Sequence, residues 1–181
     1  MKNFQLIQKN INVRPFLAEL AQNEDYWDTK RARILEVQRE TININLRSGV
    51  PEEDKLLANC HEVVNTAIYD LFPFTTSWAE NFAKEIGKLS RMMIVSLQPK
   101  GKVYPHMDSG EYYKIRDRYH LVLQSRGGSK MISGNEKQIF NTGELWWFNN
   151  KEIHEASNQS AHPRIHIIFD IVPKDNFHLI K

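Results

Sequence analysis

The chain has 181 residues, of which 41% are hydrophobic and 25% are charged, values typical of one soluble globular domain. Twenty-four basic against 22 acidic residues give a net charge of +2, which is too balanced to indicate a nucleic-acid or anionic-membrane partner. The single cysteine, Cys60, excludes an intrachain disulfide and a cysteine-rich zinc site. With neither a signal-peptide pattern nor an apolar run of the ~20 residues that a membrane helix needs, we expect a cytoplasmic protein.

The first half of the chain carries the helix signals. Apolar residues recur at helical spacing over residues 12–22 and again over residues 52–71. Ser77 is followed three residues later by Glu80, a capping-box pattern that predicts a third helix ending near Gly87.

One strand is predicted between the first two helices, at the end of the segment Ile34–Arg47. Apolar and polar residues alternate there, Ile42, Ile44 and Leu46 against Asn43, Asn45 and Arg47, which is typical of a half-buried strand. Arg33 and Arg47 lie at the two ends of this segment and are candidates for binding a substrate carboxylate. A surface position is the default interpretation for both.

From residue 89 onward the pattern changes to short strands separated by turns. The strands are predicted in LSRMMIVSLQP, VYPHMD, DRYHLVLQS, KMISG, ELWWF, EIHEASN and RIHIIFDIV. This spacing is typical of an antiparallel β-sandwich or jelly roll. We therefore predict a single domain over residues 1–181, mainly β, with a helix-rich half over about 1–88 packed on a jelly-roll core over about 89–173. Trp146, Trp147 and Phe148 are predicted to pack on both faces of a sheet.

His106 and Asp108 are candidate metal ligands. At positions i and i+2 of a strand, the two side chains point to the same face. His154 is the best candidate for a third ligand, and two imidazoles with one carboxylate suit non-haem Fe(II). Taken singly, His106 could be an ordinary half-buried histidine and Asp108 a turn carboxylate.

Arg164 strengthens the metal hypothesis. It lies ten residues after His154 at the start of an apolar strand, and its face also carries His166, Ile168 and Asp170. An arginine that points into a barrel needs an anion, and its planar guanidinium can hold a carboxylate through two hydrogen bonds. The distal carboxylate of 2-oxoglutarate fits this requirement, with the keto-acid end of that cosubstrate on the iron.

The motifs HMDSG, DRYHLVLQS, GELWWFNN, IHEASNQS and RIHIIFD, in this order, resemble the aspartyl/asparaginyl β-hydroxylase family of 2-oxoglutarate oxygenases. Residues of about 90–172 carry the resemblance. Small bacterial L-proline hydroxylases are similar too. The resemblance implies a cupin-like double-stranded β-helix. It also implies that an amino-acid side chain is hydroxylated, in a peptide or as a free amino acid such as proline, with release of succinate and CO2.

The resemblance also implies roles for single residues. His106, Asp108 and His154 would bind Fe(II), and Asp108 matches members with three protein ligands rather than two. Arg164 would bind 2-oxoglutarate. His120, Ser96 and His166 are further candidates for its site, although the spacing from Ser96 to His106 fits less well and His120 could instead be a core histidine.

The substrate residues are the least constrained by sequence. Arg118 shares a strand face with His120 and could bind a substrate carboxylate or be a surface charge. Tyr112 and Tyr113 lie in the segment after Asp108 and could cover the substrate or pack the loop.

Two other functions remain as alternatives. A related oxygenase could demethylate nucleic acid, but those enzymes carry a second arginine six residues after the first, where this chain has Asp170. A non-catalytic cupin-type binding module could share the fold, and Arg164 argues against it. We expect an amino-acid or peptide substrate and neither a nucleic-acid nor a membrane partner.

Overall fold

The structure is a computed structural model that describes residues 2–28, 36–127 and 129–179. Arg33, a candidate substrate ligand, lies outside the described residues. The strands are β1 (Phe4–Gln8), β2 (Thr41–Gly49), β3 (Val63–Asn65), β4 (Gly87–Leu97), β5 (Lys102–His106), β6 (Asp117–Gln124), β7 (Ser129–Ser133), β8 (Glu136–Gln138), β9 (Leu145–Phe148), β10 (His154–Asn158) and β11 (Arg164–Pro173). The α-helices are α1 (Arg14–Ala21), α2 (Pro73–Ile86) and α3 (Glu111–Lys114), and short 3-10 helices cover Glu24–Tyr26, Glu36–Gln38, Leu57–Asn59, Tyr69–Leu71 and Lys174–Leu179.

Two antiparallel sheets form the molecule. The large sheet has the strand order β1-β9-β6-β11-β4-β2-β3, and the small sheet has the order β5-β10-β7-β8. The two sheets enclose a cavity between their inner faces. This arrangement confirms the predicted jelly roll, and in the described part of the chain no helix is long and apolar enough to cross a membrane.

The large sheet separates an apolar outer face from a mixed inner face. Alternation along β11 places Ile167 and Phe169 in the outer core, where α2 covers them. Trp78 and Phe82 of α2 meet the Phe169 ring at centroid distances of 6.1 and 5.9 Å. Truncation of a buried phenylalanine to alanine typically costs about 3–5 kcal/mol, so this contact helps to fix the helix on the sheet. The inner face of β11 carries Arg164.

Two elements of the first half differ from the sequence predictions. Residues 52–71 do not form a helix; they contain two 3-10 turns with local hydrogen bonds and the strand β3, in which Val63–Asn65 pairs with the end of β2. The strand β1, which the sequence pattern did not indicate, pairs with β9. Together with β2, these strands from the first half complete the large sheet.

The start of α2 also differs from the prediction. The helix begins at Pro73, and Ser77 does not cap it. The carboxylate of Glu19, from α1, accepts hydrogen bonds from the backbone N–H groups of Phe74 (2.8 Å) and Thr75 (2.9 Å). Glu80 instead accepts a hydrogen bond from the Tyr69 hydroxyl at 2.6 Å. The exposed amides of this helix terminus are thus satisfied by a distant residue, which local sequence patterns do not reveal.

Candidate metal and cosubstrate site

The three predicted metal ligands meet at one end of the small sheet. His106 ends β5 and His154 begins β10, and the two residues are register partners in the antiparallel pair. Their ring centroids lie 4.3 Å apart. Asp108 follows His106 by two residues, and one ligand atom from each of the three side chains lies within 4.8 Å of the others. This is a compact set of two imidazoles and one carboxylate.

Hydrogen bonds fix the tautomer of both histidines. Nδ1 of His106 lies 2.8 Å from the carbonyl oxygen of Tyr104, and Nδ1 of His154 lies 2.9 Å from that of Glu152. A carbonyl oxygen can only accept, so Nδ1 carries the proton in each ring and Nε2 keeps its lone pair for a metal. Burial lowers the pKa of His154 to about 4, although the Asp108 carboxylate opposes this shift. His154 is therefore neutral at pH 7, as a metal ligand must be.

The Asp108 carboxylate is held through one of its oxygens. Its Oδ2 accepts hydrogen bonds from Arg118 at 2.5 Å and from Nδ2 of Asn150 at 2.9 Å, while Oδ1 faces His106. Burial alone would raise the pKa of Asp108, but the Arg118 guanidinium and nearby histidines outweigh it and lower the pKa below its ordinary value. The group is ionised, with Oδ1 directed at the space between the histidines.

Arg118, a candidate substrate ligand, lines the cavity and is held by two carboxylates. Its Nε and the second terminal nitrogen bind the two oxygens of Asp170 at 2.8 and 3.0 Å, and the remaining terminal nitrogen binds Asp108. All three guanidinium nitrogens are therefore engaged with carboxylates. Burial opposes the charge, but these two carboxylates raise the pKa of Arg118 well above its ordinary value. The residue orients Asp108, and its contact with a substrate stays a prediction.

Arg164 lines the same cavity, and the described residues provide no counterion for it. Its side chain is buried, and its one hydrogen bond to a described residue runs from a terminal nitrogen to Sδ of Met131 at 3.3 Å. Within the described part of the chain no carboxylate lies within ion-pair distance of it. Burial lowers the pKa of Arg164 to about 10, so the group remains charged at neutral pH. A buried, uncompensated guanidinium is costly and calls for an anionic ligand.

Two further histidines lie beside Arg164. Nδ1 of His120 and Nδ1 of His166 are 3.2 Å apart, so one donates and the other accepts. Neither Nε2 has a hydrogen-bond partner among the described residues. Burial, reinforced by the charge of Arg164, lowers the pKa of both well below the ordinary value. His120 lines the cavity, and His166 stands behind it.

Two of the predicted site residues do not reach the cavity. Ser96 shares the outer face of β4 with Met92 and Ile94, whereas the cavity is lined by the alternate residues of that strand. The structure thus places Ser96 away from the cavity, and its role in cosubstrate binding stays a prediction. Tyr112 is fully buried outside the cavity, and its hydroxyl lies 3.0 Å from Oδ2 of Asp170. It supports the ion-pair network instead of covering a substrate.

Tyr113, in contrast, lines the cavity, and its contact with a substrate stays a prediction. Its position depends on Gly110, which precedes α3 with a φ of 115°. A Cβ atom at Gly110 would lie 2.4 Å from the carbonyl oxygen of Ala58, so a glycine is required for both conformation and space. This close approach brings α3 against the Leu57–Asn59 turn and turns Tyr113 toward the metal ligands.

The sequence interpretation missed the polar wall of the cavity. The face of β2 that carries Asn43 and Asn45, together with Arg47, lines the cavity of about 140 Å³ rather than the protein surface. Arg91 on β4 lines it as well. Alternation was the available signal: because the apolar face of β2 packs under the helices, its polar face must turn to the space between the sheets.

Comparison with known proteins gives a consistent result. The sequence model of the family described as Aspartyl/Asparaginyl beta-hydroxylase matches residues 19–173. An L-proline cis-4-hydroxylase of Rhizobium meliloti (strain 1021) is 26% identical over 126 residues, which cover 68% of this chain and 44% of that protein. The chain thus matches less than half the length of this relative.

Solved structures with related folds include three oxygenases, each 11% identical in sequence. A prolyl hydroxylase of Trichoplax adhaerens, in complex with a hypoxia inducible factor oxygen degradation domain peptide fragment, has a TM-score of 0.62 and covers 99% of this chain and 87% of its own. An oxidoreductase of the 2OG-Fe(II) oxygenase family from Burkholderia pseudomallei has a TM-score of 0.53, with coverages of 91% and 92%. A Pseudomonas putida prolyl-4-hydroxylase has a TM-score of 0.52, with coverages of 95% and 93%. These likenesses show the shared fold.

Proposed function

The chain belongs to the aspartyl/asparaginyl β-hydroxylase family, and from this premise we propose that it is an Fe(II)- and 2-oxoglutarate-dependent dioxygenase that hydroxylates an amino-acid side chain. The observation that carries the proposal is the pairing of two features in one cavity. One is the His106, Asp108 and His154 cluster, and the other is the uncompensated guanidinium of Arg164. The similarity to an L-proline cis-4-hydroxylase supports the reaction type.

The donor set fits iron(II). Two imidazole Nε2 atoms and one carboxylate oxygen lie close together, and this combination would leave further coordination positions for other ligands. The orientation of each donor is fixed before a metal arrives: by backbone carbonyls for the two histidines, and by Arg118 and Asn150 for Asp108.

The opposite part of the cavity fits the distal carboxylate of 2-oxoglutarate. Arg164 supplies the charge, and its planar group matches a carboxylate. Nε2 of His120 is a buried nitrogen without a partner among the described residues, in a position to meet the same ligand. The Arg164 guanidinium and Nε2 of His120 would each gain a polar partner when 2-oxoglutarate binds. Both groups are otherwise costly to bury.

When bound, iron(II) and 2-oxoglutarate supply the oxidising chemistry: O2 is reduced, succinate and CO2 are released, and one oxygen atom enters a C–H bond of the substrate. The protein contributes position and a dry environment. Arg164 anchors the cosubstrate, Asp108 and the histidines hold the metal, and the apolar ring of Phe148 lies against His154 at a centroid distance of 5.2 Å. A reducing cytoplasm suits the free, buried thiol of Cys60.

The alternative functions have less support. At the position where related demethylases carry a second arginine, Asp170 is buried and paired with Arg118, so the cavity offers no second guanidinium there. A binding module without catalysis has no need of a buried, unpaired arginine beside a metal site.

A substrate screen tests the proposal. The purified enzyme, with iron(II) and 2-oxoglutarate, is supplied aerobically with free amino acids and with peptides that contain Asp, Asn or Pro. We expect one of these to stimulate succinate release and to gain the mass of one oxygen atom. Failure of the protein to bind 2-oxoglutarate in the presence of iron would refute the proposal.

A further inference from the structure

Arg91 is a guanidinium of the cavity wall that neither the candidate metal ligands nor the proposed cosubstrate site uses. It projects from the inner face of β4, lines the cavity and is 8% exposed. In the sheet register Arg164 of β11 is paired with Leu97, which lies six residues after Arg91 on β4. The backbones of Arg91 and Arg164 are therefore about 20 Å apart, at opposite ends of the cavity.

The described part of the chain does not neutralise the charge of Arg91. One terminal nitrogen donates to the backbone carbonyls of Leu57 (2.5 Å) and Cys60 (3.4 Å), while Nε is buried without a hydrogen-bond partner in the described residues. No described carboxylate lies within ion-pair distance of it. Its guanidinium stacks on the ring of Tyr112, with Cζ 3.6 Å from the ring centroid, so the group is held in place. A fixed, buried cation of this kind needs an anionic partner.

Tyr113 links Arg91 to the metal site. Its ring lies 5.3 Å from Cζ of Arg118, the residue that holds Asp108. The charges of both Arg118 and Arg91 act on the Tyr113 hydroxyl, and the hydroxyl has no hydrogen bond to any described residue. A ligand that is bound to Arg91 and extends toward the metal site would therefore pass the Tyr113 hydroxyl, which can donate a hydrogen bond to the ligand.

The cosubstrate cannot neutralise Arg91, because both of its ends are assigned elsewhere. Arg118 is paired with Asp108 and Asp170, and the proposed partner of Arg164 is the distal carboxylate of 2-oxoglutarate. A carboxylate from the substrate would therefore be the partner of Arg91.

We propose that Arg91, with the hydroxyl of Tyr113, binds a carboxylate of the substrate, so that the substrate is an acidic group rather than a neutral one. This inference rests on the proposed function and names its substrate class. Two sources supply this chemistry: the α-carboxylate of a free amino acid, and the side-chain carboxylate of an aspartate within a peptide. A peptidyl asparagine or an internal peptidyl proline lacks it, and burial of Arg91 against such a neutral group would leave the guanidinium unpaired.

The substrate series that tests the proposal contains free amino acids, peptides with an internal aspartate, and the same peptides with asparagine or proline in its place. We expect turnover of a free amino acid or of the aspartyl peptide, and no turnover of the neutral peptides. Which of the two substrates is used shows whether the carboxylate is the α-carboxylate or the aspartate side chain. Efficient hydroxylation of a neutral peptide would overturn the proposal.

Variants of Arg91 provide the second arm. Arg91→Gln is expected to raise the KM for the substrate by about 30-fold or more, and to weaken its binding to the anaerobic iron and 2-oxoglutarate complex, measured by calorimetry, to the same degree. Arg91→Lys keeps the charge and should retain part of the affinity. The exposed Arg126 gives the matched control, Arg126→Gln, which should leave KM unchanged.

Cosubstrate binding separates the possible failures. The dissociation constant for 2-oxoglutarate should be the same in Arg91→Gln and in the unmodified enzyme, which also shows that the variant is folded. An unchanged substrate KM in a variant that binds 2-oxoglutarate normally would overturn the carboxylate subsite. If Arg91→Gln does not fold, Tyr113→Phe serves in its place, and an unchanged substrate KM there would also count against the subsite. Absence of 2-oxoglutarate binding in the unmodified enzyme would overturn the proposed function and the subsite with it.

Discussion

Arg118 and Asp108 form a buried ion pair in which the arginine is shared with Asp170. A terminal nitrogen of Arg118 lies 2.5 Å from Oδ2 of Asp108, while Nε and the other terminal nitrogen bind Asp170. The pair fixes which oxygen of Asp108 is available to a metal. The orientation of Asp108, in the loop after β5, thus depends on a carboxylate in β11, and this relationship can be tested directly.

Asp170→Asn should weaken iron binding without removing a ligand. The variant loses the ion pair that holds Arg118, so Asp108 is less well oriented, and loss of such outer partners typically lowers metal affinity about 10- to 100-fold. A titration of the metal-free protein with iron(II) under nitrogen measures this. The exposed Asp175 provides the control variant Asp175→Asn. Equal iron affinity in both variants would show that the network does not position Asp108.

Arg164→Met should have opposite effects on ligand binding and on stability. Loss of the anchor for the distal carboxylate should raise the dissociation constant for 2-oxoglutarate by about 30-fold or more while iron binding persists. The metal-free protein should become more stable, because an uncompensated buried cation is replaced by an apolar side chain of similar length.

Both effects of Arg164→Met can be measured on the same preparation. Calorimetry with 2-oxoglutarate gives the first, and thermal unfolding without ligands gives the second. Arg126→Met, at an exposed position, controls for the loss of a charge. An unchanged affinity for 2-oxoglutarate would mean that its carboxylate is bound elsewhere.

The metal-free protein should lose stability as the pH falls from about 6.5 toward 4. The pKa of His154 is lowered by burial to about 4 in the folded chain, against an ordinary value of 6.5. Between these values the unfolded chain binds a proton that the folded chain does not, so the free energy of unfolding decreases with decreasing pH. His154 alone accounts for up to about 3 kcal/mol over this range.

Urea denaturation at a series of pH values checks this dependence. His120 and His166, whose pKa values are also lowered by burial, should add to the slope. His154→Gln should reduce it. Stability that is constant or that increases toward pH 4 in the unmodified protein would contradict the neutral, buried state of these histidines.

Ser96→Ala should leave the affinity for 2-oxoglutarate unchanged. The side chain lies on the outer face of β4, beneath the helices, and no part of it reaches the cavity. Calorimetric titration with 2-oxoglutarate makes the comparison, with Arg164→Met as the variant that responds. A marked loss of affinity in Ser96→Ala would indicate that the face assignment of β4 is incorrect.

The sequence was sufficient to predict that the three candidate metal ligands lie together and that Arg164 faces the cavity. His106 and Asp108 are only two residues apart in the chain, and Arg164 belongs to the polar face of an alternating strand. Both patterns are local, and the faces predicted for β6 and β11 agree with the structure.

The remaining site residues depend on contacts between distant segments. Ser96 was placed by family spacing, although its own strand puts it on the face of Met92 and Ile94, opposite to Arg91. The role of Arg118 is determined by Asp170, which is 52 residues away in the chain. The helix predicted over residues 52–71 was wrong because β2 offers that segment a pairing edge, which its own composition does not reveal.

The fate of the two atoms of dioxygen tests the central claim most directly. The enzyme is incubated with iron(II), 2-oxoglutarate, the substrate and O2 carrying a heavy oxygen isotope, and both products are analysed by mass spectrometry. We predict one labelled atom in succinate and one in the hydroxylated product, and neither product from Asp108→Ala. Unlabelled product oxygen, or full activity of Asp108→Ala, would contradict the assignment of this chain as a 2-oxoglutarate-dependent dioxygenase.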